Sequence, residues 1–271
     1  MKATESSSAG PIRVCIAGAL GRMGSMVAHE VAAPFVIGGA IESEGNPRLG
    51  VTLKQAAVAE SDVVVSPPSG LMDIMERCDV FVSFSTPQAE LSNLPLVAGL
   101  RKPVVVGTTG FSVEQRALLE SIVRSIPAVI SPNFSVGANF LFSLTKLLSQ
   151  LPSSYDFSIV EAHHNRKVDA PSGTASKLAD IVNLQRKYTK TVHGRQGLSQ
   201  RGSEELEVLS IRGGGIPGQH DVLAAGAYET IRLEHVVFSR SAFATGALLA
   251  AKWVLHQRPG LYGMEEVLGI K

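Results

Sequence analysis

The feature that most constrains the fold is a regular alternation of short β-branched runs with helical stretches over the first half of the chain. The apolar runs cover residues 12–17, 35–41, 63–65, 80–84, 104–106 and 128–130, and helical patterns cover residues 23–33, 88–100 and 112–125. Nearly continuous apolar strands that alternate with helices are typical of a parallel sheet covered on both faces. We therefore predict an α/β domain built on a parallel sheet.

The pattern changes after Asn133. A long apolar helix is expected at 136–151 and another helix at 175–184, and the tail returns to helix from about Ala242. Strand-like runs cover residues 156–162, 205–211, 220–224 and 229–237, and the polar stretch 191–204 is expected to form a long loop. Hairpin-like succession of strands indicates an antiparallel or mixed sheet. The second half therefore predicts an α+β domain.

Charge and composition exclude several classes of protein. The chain has 25 Lys and Arg against 24 Asp and Glu, a net charge of +1, which argues against a nucleic-acid-binding protein. Its 45% of apolar residues supply a core rather than a disordered chain. Cys15 and Cys78 cannot make a disulfide framework, and Cys15 lies in an apolar run typical of a buried thiol. This cysteine usage fits a reducing compartment.

The first ten residues predict no signal peptide. Residues 1–10 are polar and Ser-rich, without the apolar stretch of a signal peptide, so we expect a disordered extension. No apolar run approaches the ~18 residues that a membrane helix needs. We expect a cytoplasmic protein that binds neither membranes nor nucleic acid.

A glycine-rich turn follows the first predicted strand. Gly18, Gly21 and Gly24 form a G-x-x-G-x-x-G arrangement between a strand and a helix, a variant of the dinucleotide-binding motif. Glycines allow the backbone to turn tightly and to approach a pyrophosphate. Glu42 ends the second predicted strand. Its spacing in sequence after the glycine turn is that expected of an acid that accepts the ribose hydroxyls. The alternative is an ordinary tight turn with a surface acid.

The residue after Glu42 bears on the choice of cofactor. An acid suits a free ribose diol, whereas a 2′-phosphate prefers a nearby cation, and the next residue is Ser43. Arg22 within the turn could still meet a phosphate. We therefore expect NADH, with NADPH as an alternative.

Two further turns follow the ends of predicted strands, one starting at Gly107 and one at Ser131. In an open parallel sheet, ligands bind beyond the carboxyl ends of the strands. Small and hydroxylated residues there allow the backbone to contact a nicotinamide ring. Together with the glycine turn they outline a cleft.

A basic cluster precedes the helix predicted at 175–184. Its four potential cations are His163, His164, Arg166 and Lys167. Ser172 is a plausible N-cap, so the amides after it would form an anion site that suits a small dicarboxylate. A histidine can exchange protons near neutral pH. The alternatives are a solvated basic loop or a metal site; the latter is disfavoured because no third His or Cys lies nearby in sequence, and we predict none.

Other basic residues are scattered through the second half: Arg195, Arg201, Arg212, His220 and Arg240. Some could lie near the anion site, and the sequence does not choose among them. Gly213–Gly215 resembles a phosphate loop, but no helix follows it, so we expect a turn between strands.

Taken together, these motifs resemble the dihydrodipicolinate reductase (4-hydroxy-tetrahydrodipicolinate reductase) family of lysine and diaminopimelate synthesis. The resemblance runs from about residue 12 to the end and is carried by GALGRMG at 18–24, Glu42, GTTGF at 107–111, SPNFSVGAN at 131–139, EAHHNRKVDAPSGTA at 161–175 and GQHDV at 218–222. The string at 161–175 is highly specific, whereas the glycine turn is not. The loop 194–204 departs from the family pattern.

The resemblance implies an NAD(P)H-dependent reduction of a cyclic imine dicarboxylate to tetrahydrodipicolinate. It implies that His163 is the acid–base residue and Lys167 the proton donor. The positions that hold the substrate would be His164, Lys167, Ser172, Gly173 and Thr174. Those that hold the cofactor would be Gly18, Ala19, Leu20, Gly21, Arg22, Met23, Glu42, Gly107, Thr108, Thr109, Ser131, Pro132, Asn133 and Phe134. Many members carry Arg after the ribose-binding acid, whereas this chain has Ser43, which favours NADH.

For the architecture, the resemblance implies a Rossmann-like domain over 11–134, to which 242–271 return. Residues 135–241 would form a substrate-binding and oligomerisation domain, and the family is typically a homotetramer. Two other functions stay open on the residues alone. One is a different NAD(P)-dependent reductase, acting on a sugar or an amino-acid-derived carbonyl; the other is a redox-sensing module that binds the nucleotide without turnover.

Overall fold

The computed structural model describes residues 10–270, so the predicted disordered extension lies, except for Gly10, outside the described residues. The chain divides into two compact units. The first, called unit 1, contains the chain up to Phe134 together with Phe243–Val267. The second, unit 2, contains Ser135–Ala242 and the described part of the last four residues. The last residues therefore depart from the predicted assignment of the whole tail to the first domain.

Unit 1 is built on a seven-stranded parallel sheet. Its strands are β1 (Ile12–Ala17), β2 (Phe35–Ile41), β3 (Val65–Ser66), β4 (Val80–Ser83), β5 (Val104–Val106), β6 (Pro127–Ile130) and β12 (Gly260–Tyr262). They lie in the order β12-β6-β5-β4-β1-β2-β3, and every neighbouring pair is parallel. The predicted α/β fold with a parallel sheet is confirmed.

Helices lie between most of these strands in the chain, and the last helix follows β12. They are α1 (Gly24–Glu30), α2 (Leu71–Glu76), α3 (Pro87–Gly99), α4 (Val113–Val123), most of α7 (Ser241–Val254) and most of α8 (Met264–Leu268). Thr86 and Ser112 cap α3 and α4 with their side chains. The first helix is shorter than the predicted 23–33, because Val31 already adopts an extended conformation before the turn into β2.

The shortest elements of unit 1 differ from the expectation. The strand predicted at 63–65 is centred later, at β3, and Val64 forms an isolated antiparallel bridge with Thr52. The tail contains a strand as well as the predicted helix. Its β12 extends the sheet by pairing in parallel with β6, from Gly260 opposite Pro127.

Unit 2 contains a five-stranded mixed sheet. Its strands are β7 (Asp156–His163), β8 (Lys190–Val192), β9 (Glu205–Arg212), β10 (Gln219–Ala225) and β11 (Thr230–Val236), in the order β11-β10-β7-β9-β8. β10 is antiparallel to both neighbours, whereas β9 is parallel to β7 and β8. The helices α5 (Val136–Leu148) and α6 (Gly173–Arg186) share an apolar core with this sheet. The prediction of a mixed or antiparallel sheet is confirmed.

The predicted loop at 191–204 is largely irregular after the short strand β8. Ion pairs hold it to β9: Arg195 lies 2.6 Å from the carboxylate of Glu205 and 3.0 Å from that of Glu207. Gly213–Gly215 lie in the connection between β9 and β10, as expected of a turn between strands.

Two other features bear on the exclusions made above. Cys15 and Cys78 are both free and buried. Within residues 10–270, no helix combines the length and the apolar character needed to cross a membrane.

Candidate functional site

The first candidate site lies where the direction of the chain changes across the sheet of unit 1. β1 is flanked by β2 on one side and by β4 on the other, so the connections that leave their carboxyl ends diverge and open a crevice. A cavity of about 290 Å³ lies there. It is lined by Ala17, Gly18, Gly21, Ile41, Glu42, Ser43, Pro68, Phe84, Ser85, Thr86, Ala89 and Asn93.

The glycine turn is required by close backbone approach. Gly18 has a φ of +70°, and a Cβ on it would overlap the carbonyl oxygen of Phe84. A Cβ on Gly24 would overlap the carbonyl of Gly18, and one on Gly21 would lie 3.1 Å from the same oxygen. The spacing of the motif therefore places α1 directly against the turn, and bare backbone faces the crevice.

Glu42 is held at the rim of this cavity. Its carboxylate accepts hydrogen bonds from the amide of Leu20, at 3.1 Å, and from the amide of Ser43, at 3.0 Å. These contacts fix the carboxylate between the glycine turn and the end of β2. A carboxylate oxygen has more than one lone pair, so it can still accept the hydroxyls of a ribose.

Phe84, which the sequence did not single out, joins the three predicted cofactor segments. Its carbonyl lies against Gly18, and its ring occupies the space that a Cβ on Gly107 would need. The ring also contacts Phe134 edge to face, with centroids 5.8 Å apart. The turn after β4 therefore lies among the turns after β1, β5 and β6.

The predicted cofactor residues differ in how they meet this crevice. Gly18, Gly21 and Glu42 line the cavity. Thr108, Ser131 and Phe134 are buried, and Ser131 bonds the carbonyl of Asn133 at 2.8 Å. Arg22, Thr109 and Pro132 are exposed and do not line the cavity. The segment 84–86 was not predicted from the sequence, although the end of β4 faces the same edge as the ends of its neighbours.

The second candidate site lies in unit 2, around the fully buried carboxylate of Glu161. Both terminal nitrogens of Arg212 donate to it, at 2.8 and 2.7 Å. Nδ1 of His163 lies 2.6 Å from the same carboxylate, and the amide of Ser172 donates to it at 3.1 Å. One acid of β7 thus holds the end of its own strand, the neighbouring strand β9 and the start of α6.

These contacts decide the charge states. Burial favours the uncharged form of Glu161, but hydrogen bonds from Arg212, His163 and Ser210 outweigh it and lower the pKa to about 2. Burial also lowers the pKa of His163, with contributions from Lys167 and Arg212 that outweigh the opposing effect of Glu161. At neutral pH Glu161 is therefore an anion that can only accept. His163 is neutral, carries its proton on Nδ1, and has Nε2 left to exchange protons.

His220 packs behind this pair. Its ring contacts the ring of His163 edge to face at 5.1 Å, and its Nε2 lies 3.0 Å from the hydroxyl of Ser172. Burial, together with the charge of His163, lowers the pKa of His220 to about 4. His220 is therefore neutral at physiological pH and keeps the ring of His163 in place.

Lys167 and His164 complete the cluster. Nζ of Lys167 lies 2.8 Å from both carboxylate oxygens of Asp169. Nδ1 of His164 is buried and has no hydrogen-bond partner within the described part of the chain. Asp169 neutralises Lys167, and Glu161 neutralises Arg212. The net positive charge around the cluster is therefore smaller than the sequence suggested.

The start of α6 faces open space beside this cluster. Ser172 caps the helix, as predicted, because its hydroxyl accepts a hydrogen bond from the amide of Ala175 at 3.2 Å. Nothing lies within 4 Å of the position of a Cβ on Gly173. An anion could therefore approach the backbone of Gly173 and Thr174 at a helix N-terminus.

Several residues of this site were not identified from the sequence. Glu161 and Asp169 belong to the string at 161–175, but no role was assigned to them. Arg212 was recognised only as a scattered basic residue, and His220 only as such a residue and as part of the GQHDV string; the structure brings both to the Glu161–His163 pair. Among residues 10–270, no group of three or more His, Cys, Asp or Glu side chains is arranged to hold a metal ion.

Comparison with known protein families shows which family has a chain with these two sites. The family model described as "Dihydrodipicolinate reductase, N-terminus" matches residues 12–134, and the one described as "Dihydrodipicolinate reductase, C-terminus" matches residues 137–268. The chain belongs to the dihydrodipicolinate reductase family. The resemblance drawn from the motifs is confirmed. Dihydrodipicolinate reductases are oxidoreductases that use a nicotinamide cofactor. This chain is therefore an oxidoreductase that uses a nicotinamide cofactor.

Individual dihydrodipicolinate reductases align over nearly the whole length. A protein of Methanopyrus kandleri named 4-hydroxy-tetrahydrodipicolinate reductase is 42% identical over 95% of this chain and 96% of its own length. One of Trichlorobacter lovleyi with the same name is 39% identical over 96% of this chain and its full length. A dipicolinate-bound dihydrodipicolinate reductase of Paenisporosarcina sp. TG-14 superposes with a TM-score of 0.74 at 25% identity, covering 94% and 99% of the two chains.

Proposed function

We propose that this chain reduces 4-hydroxy-tetrahydrodipicolinate to tetrahydrodipicolinate in lysine and diaminopimelate biosynthesis. The observation that carries the proposal is the Glu161–His163 pair beside Lys167 at the open start of α6. The product lacks the 4-hydroxyl oxygen of the substrate. The reaction therefore consumes one hydride and one proton and releases one water.

The crevice of unit 1 fits a dinucleotide. Gly18 and Gly21 line the cavity, where a glycine backbone allows close approach of a pyrophosphate, and Glu42 would accept the ribose hydroxyls. The ends of β5 and β6 would meet the nicotinamide with their backbone. When bound, the reduced nicotinamide supplies the hydride. Ser43 offers no cation to a 2′-phosphate, which supports NADH as the preferred cofactor.

The cluster of unit 2 fits the carboxylates of the substrate. Lys167 is 19% exposed and its partner Asp169 is 62% exposed, so this ion pair costs little to exchange for a substrate carboxylate. His164 contributes an unsatisfied ring nitrogen, and the first turn of α6 contributes amides at Gly173 and Thr174. The dipicolinate bound to the Paenisporosarcina relative is a dicarboxylate of this kind.

His163 and Lys167 are the proton-transfer residues of the proposal. Once the 4-hydroxyl has left as water, hydride addition to the conjugated imine that remains leaves negative charge beside the attacked ring carbon, and one proton must be added. Nε2 of His163 carries no proton at neutral pH, so it first takes one up and then passes it on, while Glu161 on the opposite ring nitrogen stabilises the charged ring. The ammonium of Lys167 stabilises the developing negative charge and can donate a proton.

The test compares variants in a coupled assay, with a synthase that supplies the substrate and with loss of reduced cofactor as the readout. Lys167→Ala should lower kcat by about 10²- to 10⁴-fold, the range for a proton-transfer group, and leave the Kd for NADH unchanged. The exposed Lys187→Ala is the matched control and should behave as wild type. Equal losses in kcat and in NADH affinity would contradict the assigned role.

Assembly and location are part of the same proposal. We expect a homotetramer in the cytoplasm. Unit 2 exposes large apolar side chains that support self-association: Ile211, Tyr228, Ile231, Val236 and Phe238. Light scattering on the purified protein measures the mass directly, and a monomer would contradict this part.

A further inference from the structure

A buried acid of unit 1 lies beneath the candidate cofactor crevice without belonging to the motifs discussed so far. Glu90, in the first turn of α3, is fully buried. Burial raises its pKa, and hydrogen bonds from Ser83, Thr108 and Ser85 oppose that shift. Burial of a carboxyl group costs free energy unless hydrogen bonds or ion pairs compensate for the lost water.

Three hydroxyl groups converge on one oxygen of this acid. The Oε1 atom of Glu90 accepts from Ser83 at 2.6 Å, from Ser85 at 2.8 Å, and from Thr108. Its other oxygen, Oε2, is buried without a hydrogen-bond partner in the described chain. The contacts come from two different turns: Ser83 and Ser85 flank the end of β4, and Thr108 follows β5.

Thr108 is the link between these turns. Its hydroxyl donates to Glu90 and accepts from the amide of Ser85 at 2.9 Å. Because the proton of this hydroxyl is committed to the carboxylate, its lone pairs face the amide of Ser85. Hydrogen bonds in such a chain polarise and strengthen one another at low dielectric.

The arrangement determines which groups face the crevice. The hydroxyls of Ser85 and Thr108 point inward to Glu90, away from solvent. Ser85 and its neighbours Phe84 and Thr86 line the cavity. Phe84, whose ring lies against Gly107, is held between the two turns.

We propose that Glu90 is a positioning residue for cofactor binding, which locks the turn 83–86 to the turn 107–109 through Ser83, Ser85 and Thr108. The inference rests on the proposed cofactor site. It concerns a residue that acts through Thr108 and makes no contact with the cofactor itself. Glutamine at position 90 would place amide protons where no acceptor lies, and it would weaken the acceptor on which three hydroxyls depend.

The test is a double-mutant cycle on the Kd for NADH, measured by titration calorimetry with the full chain. Glu90→Gln and Thr108→Val should each raise the Kd about tenfold, equivalent to about 1.4 kcal/mol. Because both act through one link, the double variant should be no weaker than the poorer single variant. Thr108→Ser keeps the hydroxyl and should therefore lose less affinity than Thr108→Val. Glu60→Gln, at an exposed acid paired with Lys54, is the matched control.

Binding of pyridine-2,6-dicarboxylate to the same variants without cofactor separates positioning from general damage, and its Kd should not change. Folded Glu90→Gln that binds NADH as wild type would overturn the proposal, as would strictly additive losses. If Glu90→Gln does not fold, wild-type affinity in Thr108→Val would overturn it. If the wild-type chain binds neither NADH nor NADPH, the proposed function itself fails, which is a different result.

Discussion

At the scale of single residues, the chemistry of unit 2 depends on one buried acid. Glu161 neutralises Arg212 and fixes the tautomer of His163. The sequence could identify the histidine and lysine from the local string at 161–175, which also contains Glu161 two positions before His163. It could not identify Arg212, which lies 51 positions from Glu161, because that contact depends on the pairing of β7 with β9.

Replacement of Glu161 tests this positioning role. In Glu161→Gln, His163 loses the anionic partner that raises its pKa, so the limb of the pH–rate profile that reports His163 should move to lower pH. We also expect kcat to fall about 10²-fold. The exposed Glu204→Gln is the control. An unchanged profile, measured as kcat/KM against pH, would show that Glu161 does not tune His163.

His220 makes stability depend on pH. The pKa of its side chain falls from 6.5 to about 4 on folding, so between these values the unfolded chain binds a proton that the folded chain does not. Stability is therefore lost as the pH falls from 6.5 towards 4, by up to about 3 kcal/mol. His220→Gln should make the unfolding free energy, measured by urea denaturation, depend less on pH over this window. His29→Gln, at an exposed position, should leave that pH dependence unchanged. Identical slopes in wild type and His220→Gln would refute this.

At the scale of elements, the strongly apolar strands were predictable and the short edge strands were not. The runs that became β1 and β2 carry enough apolar residues to specify a buried strand, and β5, although short, consists of three buried valines. β8 and β12 contain three residues each and form only because a neighbouring strand offers its edge. Their existence depends on tertiary contacts that no local pattern records.

The glycine turn provides a prediction at this scale. Gly24→Ala would force α1 away from Gly18, whose carbonyl occupies the space of the new Cβ. We expect a loss of about 1–3 kcal/mol in stability, as for overpacked cores, and weaker NADH binding. Gly45→Ala is the control, because nothing lies within 4 Å of a Cβ there. Thermal melts and NADH titration measure both effects, and a Gly24→Ala protein as stable as the control would contradict the close approach.

At the scale of the whole molecule, the neutral charge conceals two chemically different sites. Unit 1 offers a carboxylate and bare backbone in a crevice, and unit 2 offers histidines, a lysine and a helix start. The net charge of +1 excluded a polyanion-binding surface but could not show which charges pair with one another.

Ser43 provides a prediction about the choice of cofactor. Ser43→Arg should raise the NADPH-to-NADH ratio of kcat/KM, because arginine supplies a cation for the 2′-phosphate.

The proposed reaction is tested by the rate at which the wild-type chain oxidises NADH and NADPH when a synthase supplies 4-hydroxy-tetrahydrodipicolinate. We predict turnover that depends on this substrate, with the higher kcat/KM for NADH. A folded protein that oxidises neither cofactor with this substrate would refute the proposed reaction.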